Sequence, residues 1–157
     1  MTQTAPTLGK ARTIKETFSR ETTVGIDIQA DSAIIWALLT NAADFSRWNT
    51  TVISLEGNIQ KGERIKLKSS LNPKRIFTLT IKEFEPEKRL LWGDSQGNRT
   101  FILSPVSNGN VRFSMTEKIG GLMFPLYAKY IPPFDASFEQ FAAELKKESE
   151  FINNTRK

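Results

Sequence analysis

Along the middle of the chain apolar side chains recur at every second position, and near either end they switch to helical spacing. Val24, Ile26 and Ile28 alternate with Gly25, Asp27 and Gln29, the period of a half-buried strand. Asp31 stands where a helix N-cap or first-turn acid belongs, ahead of Ile34, Ile35, Leu38 and Leu39, which share one helical face. Phe45 and Trp48, three apart between polar residues from Asn41 to Asn49, predict a short second helix. The period of two then returns. Ile53 and Leu55 alternate before Gly57-Asn58, and Ile65 and Leu67 alternate with Arg64, Lys66 and Lys68 after a Lys61-Gly62 turn. Phe77, Leu79 and Ile81 follow, with a turn at Pro86-Glu87-Lys88. Leu90 to Asp94 predicts a strand closed by Ser95-Gln96-Gly97-Asn98. Thr100 to Ser104 and Val111 to Lys118 predict a hairpin around Ser107-Asn108-Gly109-Asn110, because Asn-Gly accepts the positive φ angles a type I′ turn needs.

Gly120-Gly121 ends the alternation. Leu122 to Ile131 is apolar and aromatic, interrupted by Pro125 and stopped by Pro132-Pro133, of which Pro133 suits the first position of a helix. Phe134, Phe138, Phe141 and Leu145 then fall at i, i+4, i+7 and i+11, predicting an amphipathic helix of about 18–20 residues. The order is one strand, two short helices, about six strands and one long helix. Short turns between consecutive strands give an antiparallel sheet, and only the last helix is large enough to cover its apolar face. Residues 1–18 lack periodicity and read as a flexible tail, the alternative being an edge segment lying along the domain. Residues 19–153 read as a single domain.

Composition narrows what this domain does. With 157 residues the chain has length for one core, and its 39% hydrophobic and 25% charged residues are those of an ordinary folded protein. There is no cysteine and no histidine, which removes disulfides, thiolate nucleophiles, zinc-thiolate sites and the commonest general base. A Ser-His-Asp triad is therefore excluded. No metal site is expected, because only a carboxylate set would remain and the Asp and Asn spacing is unlike an EF-hand. Phosphate-binding glycine loops are lacking too, and no cofactor is expected. The net charge of +5 and the basic Arg64, Lys66, Lys68 and Lys82 fit a solvated outer sheet face better than a nucleic-acid site, since exposed aromatics are not interleaved with them. The opening residues have no apolar run of signal-peptide type, and no apolar run approaches the roughly 20 residues of a membrane span. The expected location is cytoplasmic.

Several segments resemble one known family. Ile35-Trp36-Ala37-Leu38-Leu39-Thr40-Asn41 is similar to the first helix of the SRPBCC superfamily, the helix-grip proteins that include START domains, birch-pollen-allergen proteins and polyketide cyclase/dehydrase-like proteins. Phe45-Ser46-Arg47-Trp48-Asn49 resembles its second short helix, and Pro86 to Trp92 its turn into the fifth strand. Phe101 to Pro105 with Gly109 to Glu117 resembles its final hairpin, and Phe138 to Lys146 its last helix. The resemblance covers roughly residues 20–150. It implies an α+β helix-grip fold: a curved antiparallel sheet of about seven strands wrapped around a long C-terminal helix, with two short helices between the first and second strands. The Pro132-Pro133 break departs from the family pattern and sets a short lid-like segment before the grip helix.

The resemblance also implies an apolar cavity between sheet and helix, holding a lipid, sterol or aromatic polyketide-like molecule. Candidate ligand contacts are Phe77, Leu79, Trp92, Phe101, Phe113 and Met115 from the strands, and Phe138 and Phe141 from the helix. Each is better suited, taken singly, to filling the core, as Trp36 is expected to do. Trp48, ending the second helix, is a candidate at the ligand's edge, and Tyr127 and Tyr130 are candidates at the mouth. Glu117 continues the inward alternation of Val111, Phe113 and Met115, and a carboxylate held among apolar groups would serve as general acid or base. The alternative, which is the better supported, is that the strand twists or ends there and Glu117 reaches solvent or pairs with a lysine. Asp94 and Arg99 flank one turn and would orient a polar group or pair at the surface. The leading expectation is a binding or carrier domain for a hydrophobic small molecule, leaning away from an enzyme. The alternatives are a polyketide cyclase/dehydratase-type enzyme using the same cavity, and a co-chaperone-like domain binding partners through Leu122–Ile131.

Overall fold

The alternation resolves into eight strands rather than seven. In the computed structural model, which describes residues 7–156, these are β1 (Arg12–Lys15), β2 (Ser19–Ile28), β3 (Val52–Glu56), β4 (Arg64–Ser69), β5 (Phe77–Glu85), β6 (Arg89–Gly93), β7 (Gly97–Pro105) and β8 (Val111–Gly120). They form one sheet in the order β1-β2-β8-β7-β6-β5-β4-β3, with every neighbouring pair antiparallel. Two short helices, α1 (Ser32–Thr40) and α2 (Phe45–Trp48), carry the chain from β2 to the far edge at β3. A one-turn helix, α3 (Phe124–Tyr127), precedes the long α4 (Asp135–Thr155). The result is an α+β protein with the element order of a helix grip.

The additional strand lies in the segment read as a tail. β1 pairs with β2 from Arg12↔Thr23 to Lys15↔Arg20, so the tail reading is corrected over these residues. Residues 1–6, the rest of that reading, fall outside the described residues. Three of the four β1 side chains are polar, so no apolar alternation announces the strand. Hydrogen bonds attach it to the helix instead: Thr13 Oγ1 donates to Asp135 Oδ1 at 2.6 Å, and the Ala11 N–H donates to Glu139 Oε2 at 2.9 Å.

The final helix begins two residues later than the proline signal predicts. Pro133 precedes the N-cap, Phe134, whose carbonyl accepts the Phe138 N–H at 2.8 Å. The helix runs for 21 residues, and Phe138, Phe141, Ala142, Leu145 and Ser149 form its buried stripe. Asn108 and Gly109 both take positive φ, 65° and 74°, as expected, but within the three-residue loop Ser107–Gly109.

One helix cannot cover this sheet. Strands spaced about 4.8 Å apart make eight of them about 34 Å wide, while a helix with its side chains is about 10 Å across. The helix α4 lies on β2 and β8, and α1 and α2 pack against it. Register shifts between Val52 and Ser54 and between Ile81 and Glu83 mark bulges in β3 and β5, where the strands bend and twist locally. Phe141 is the hub of the core, with ring centroids of Phe45, Trp48, Phe101 and Phe113 5.8–6.0 Å away. Trp36 packs edge-on against Phe84 of β5 at 5.3 Å, as structure.

Candidate ligand cavity

Over the β4–β6 part of the sheet α4 no longer covers the strands, and a cavity of about 450 Å³ opens there. Its floor is Leu67, Leu79 and Trp92, which alternation turns toward the concave side of β4, β5 and β6. Leu71, Phe77 and Ile119 extend the apolar wall, and Tyr127, Tyr130, Ile131, Pro132 and Phe134 form a roof from the segment before α4. That volume lies within the range of about 300–1,000 Å³ typical of small-molecule sites.

Of the sequence candidates, Phe77, Leu79, Trp92, Glu117, Tyr127 and Tyr130 line this cavity together. Phe101, Phe113, Met115, Phe138 and Phe141 do not; they are fully enclosed in the core beneath α4. The helix sits directly on β2 and β8, so inward residues of β7 and β8 meet its aromatic stripe instead of open space. Trp48 is also set apart. Its ring packs on Phe45 at 4.7 Å and on Phe141 at 5.9 Å, and its buried indole N–H has no partner among the described residues.

The polar end of the cavity follows from the β7–β8 register, which puts Arg99 opposite Glu117, two residues along from the Phe101–Met115 pair and on the same face. Glu117 does face inward, but not as a lone carboxylate among apolar groups: Arg99 Nε donates to its Oε1 at 2.8 Å. The side chains are only 14% and 18% exposed, and the Arg99 guanidinium lies over the Phe138 ring at 5.0 Å. Asp94 does not pair with Arg99. It turns its Oδ1 onto the Gln96 and Gly97 N–H groups and holds the β6–β7 turn. At the rim Arg75 stacks on Phe77 at 4.3 Å.

Sequence reasoning passed over Arg20. Almost fully buried on β2, it donates from Nη1 to the Ile131 carbonyl at 3.2 Å and from Nη2 to the Pro132 carbonyl at 2.8 Å. It also lies over the Phe134 ring at 4.7 Å. Burial pulls this guanidinium below its ordinary pKa, against the opposing attraction of Glu117 and Asp135. Arg20 therefore ties the roof to the sheet. The signal was present, since Arg20 precedes Thr22 and Val24 by the same step of two. Ile119 was legible in the same way, two residues beyond Glu117. On the outer surface of the roof and of the segment leading into it, Leu122, Met123, Leu126 and Tyr130 expose 61–86% of their surface. Among the described residues no helix is long and apolar enough to cross a membrane.

No family model and no curated protein matches the chain. Solved structures do. A conserved protein of unknown function from Enterococcus faecalis superposes with a TM-score of 0.66 at 16% identity, over 92% of this chain and 79% of that one. A Rhodobacter sphaeroides protein gives 0.63 at 18% identity, over 88% and 97%. A START superfamily protein from Mycobacterium smegmatis gives 0.61 at 11% identity, over 84% and 98%. At these identities the likeness is one of fold: an antiparallel sheet with a C-terminal helix, consistent with the helix grip and with a START-like neighbour.

Proposed function

We propose that the protein binds or carries a hydrophobic small molecule in the cavity under the 127–134 roof. The observation that carries this reading is the roughly 450 Å³ of space walled by Leu67, Leu79, Trp92 and Ile119, where the rest of the concave face is filled. The START-like neighbour supports it at the level of fold. Pockets of this kind gain affinity from apolar area and orientation from a few polar groups, and the Arg99–Glu117 pair supplies the latter. The test is titration with sterols, fatty alcohols, flavonoids and Nile red, repeated on Leu79→Trp and Ile119→Phe, each of which fills the cavity from a different side. Affinity should fall at least about tenfold in whichever variant keeps the wild-type fold. Undiminished binding in folded, filled variants would place the ligand elsewhere.

Glu117 at the cavity wall is the one observation favouring a cyclase/dehydratase-type enzyme. Against it, Glu117 is paired with Arg99 and is not the lone carboxylate among apolar groups on which the acid–base role was argued. The carrier reading is preferred for that reason. Turnover of a poly-β-keto thioester that vanishes in Glu117→Gln while binding persists would reverse the preference.

A further inference from the structure

The polar end of the cavity selects the head group of whatever enters it. Resting on the reading of the cavity as a ligand site, we propose that the occupant is a neutral amphipath whose hydroxyl, or a group that like it both donates and accepts, bridges Arg99 and Glu117. Free carboxylates and alkylammonium ions of the same apolar body are rejected.

The argument starts from unused hydrogen-bonding capacity. A guanidinium carries five N–H donors and a carboxylate about four acceptor sites. Within the protein, Arg99 uses Nε and Glu117 uses Oε1. Neither Nη of Arg99 nor Oε2 of Glu117 has a hydrogen bond to a described residue, although both side chains are mostly covered and both line the cavity. The pair thus presents donors and an acceptor side by side, fixed in place by the cross-strand bond and by Phe138. A ligand hydroxyl satisfies both at once, accepting from Nη and donating to Oε2.

Charge decides against the ionic alternatives. The cavity wall holds Arg75 and Arg99 against Asp94 and Glu117, with no net charge between them. Behind the wall Arg20, which faces Glu117, is balanced by Asp135. An entering carboxylate would meet Arg99 already committed to Glu117 and would lie beside a like charge. An ammonium would meet Glu117 already committed to Arg99. Beside this pair either ion would lose its water without a free counter-charge, the circumstance in which burial of charge is most unfavourable. Arg75 stands exposed at the rim, stacked on Phe77, and Asp94 is turned onto the Gln96 and Gly97 N–H groups. A hydroxyl carries no such penalty.

The experiment is isothermal titration calorimetry of the full chain with 1-decanol, decanoate and decylammonium at pH 7, each below its aggregation limit, with Nile red displacement as an independent readout. Decanol should bind at least about tenfold more tightly than either ion. Glu117→Gln should improve decanoate relative to decanol by about tenfold, and Arg99→Gln should do the same for decylammonium. Circular dichroism establishes whether each variant is folded, and the wild-type ranking decides even if neither is. Decanoate or decylammonium equalling decanol on the wild type, with Nile red displaced, overturns the head-group proposal and leaves the cavity as a ligand site. An unchanged ranking in folded variants overturns it as well. If neither the three chains nor Nile red binds, the ligand-site reading fails and takes this proposal with it.

Discussion

Replacing Arg20 by Met tests whether the cavity roof is held by a single buried guanidinium. Met keeps the apolar stem and removes both N–H donors, leaving the Ile131 and Pro132 carbonyls without the bonds they accept at 3.2 and 2.8 Å. Hydrogen bonds to a charged donor are worth about 1.5–3 kcal/mol each, and the contact over Phe134 adds about 0.5–1 kcal/mol. Part of this is offset, because Arg20→Met also relieves the desolvation of a buried charge. A net loss of about 2 kcal/mol raises the population of roof-open molecules about 30-fold. Native-state hydrogen exchange reads this directly. The Phe124, Leu126 and Ile131 amides, bonded to the Gly121, Met123 and Ala128 carbonyls within the roof, should exchange about 30-fold faster in the variant. Arg20→Lys, with a compact ammonium in place of the fork, should fall between variant and wild type. Roof amides exchanging within twofold of the wild type in a folded Arg20→Met protein would refute the latch.

Further predictions concern stability and the separation of core from cavity. The chain has no histidine, and hydrogen bonds from Arg112 and Arg47 hold the Asp27 and Asp44 carboxyls below the usual range. A depressed carboxyl contributes stability above the unfolded value of about 3.9 and loses it as pH falls through the lower folded value. Urea midpoints should therefore be flat from about pH 6 to 8 and fall in acid, with a shallower acid arm in Asp27→Asn; a midpoint that rises in acid contradicts this. Ser149 Oγ is buried without a partner among the described residues, so Ser149→Ala should raise unfolding free energy by about 1 kcal/mol, and a loss of stability would show that the hydroxyl is satisfied. Trp48→Phe should lower stability by about 1–2 kcal/mol and leave decanol affinity unchanged, since the ring lies in the core. An affinity loss in folded Trp48→Phe would return that ring to the ligand's edge.

The sequence made the sheet legible because its strands obey the period of two, and made α4 legible because four apolar residues obey the helical one. It failed where other forces hold the chain. β1 is retained by hydrogen bonds from Thr13 and Ala11 to the helix, and such bonds leave no periodic trace. The cavity was legible only as a set of inward positions. Leu79 and Phe113 have the same alternation and apolar character, yet one lines open space and the other is sealed under Phe141. What separates them is distance from α4 across the sheet, and that depends on strand order, which places β8 between β2 and β7. Glu117 shows the same limit. Its inward direction followed from alternation, but its partner followed from register, two strands meeting at Arg99↔Glu117.

Strand order also predicts which part of the fold should move if the cavity is to be filled from outside. The helix is anchored on the β2–β8 side by Lys146 Nζ on the Asp27 carbonyl at 2.9 Å and by the Gln29 N–H on Glu150 at 2.9 Å. On the opposite side Thr50 donates its N–H to Glu144 at 3.0 Å, and Arg47 pairs with Glu148 at 2.7 Å. Moving α4 to admit a ligand would break all of these and expose the Phe141 hub. The roof has less holding it: its entry is the Gly121 N–H on the Phe18 carbonyl at 3.0 Å, its exit is Arg20, and between them Phe124 is buried while Leu122, Met123 and Leu126 face outward. Regions with few buried apolar contacts open at the lowest free energy. On the proposed function, entry should therefore run between Gly121 and Pro132, and a disulfide joining the roof to β5 should block uptake under oxidising conditions while leaving the core's unfolding transition in place.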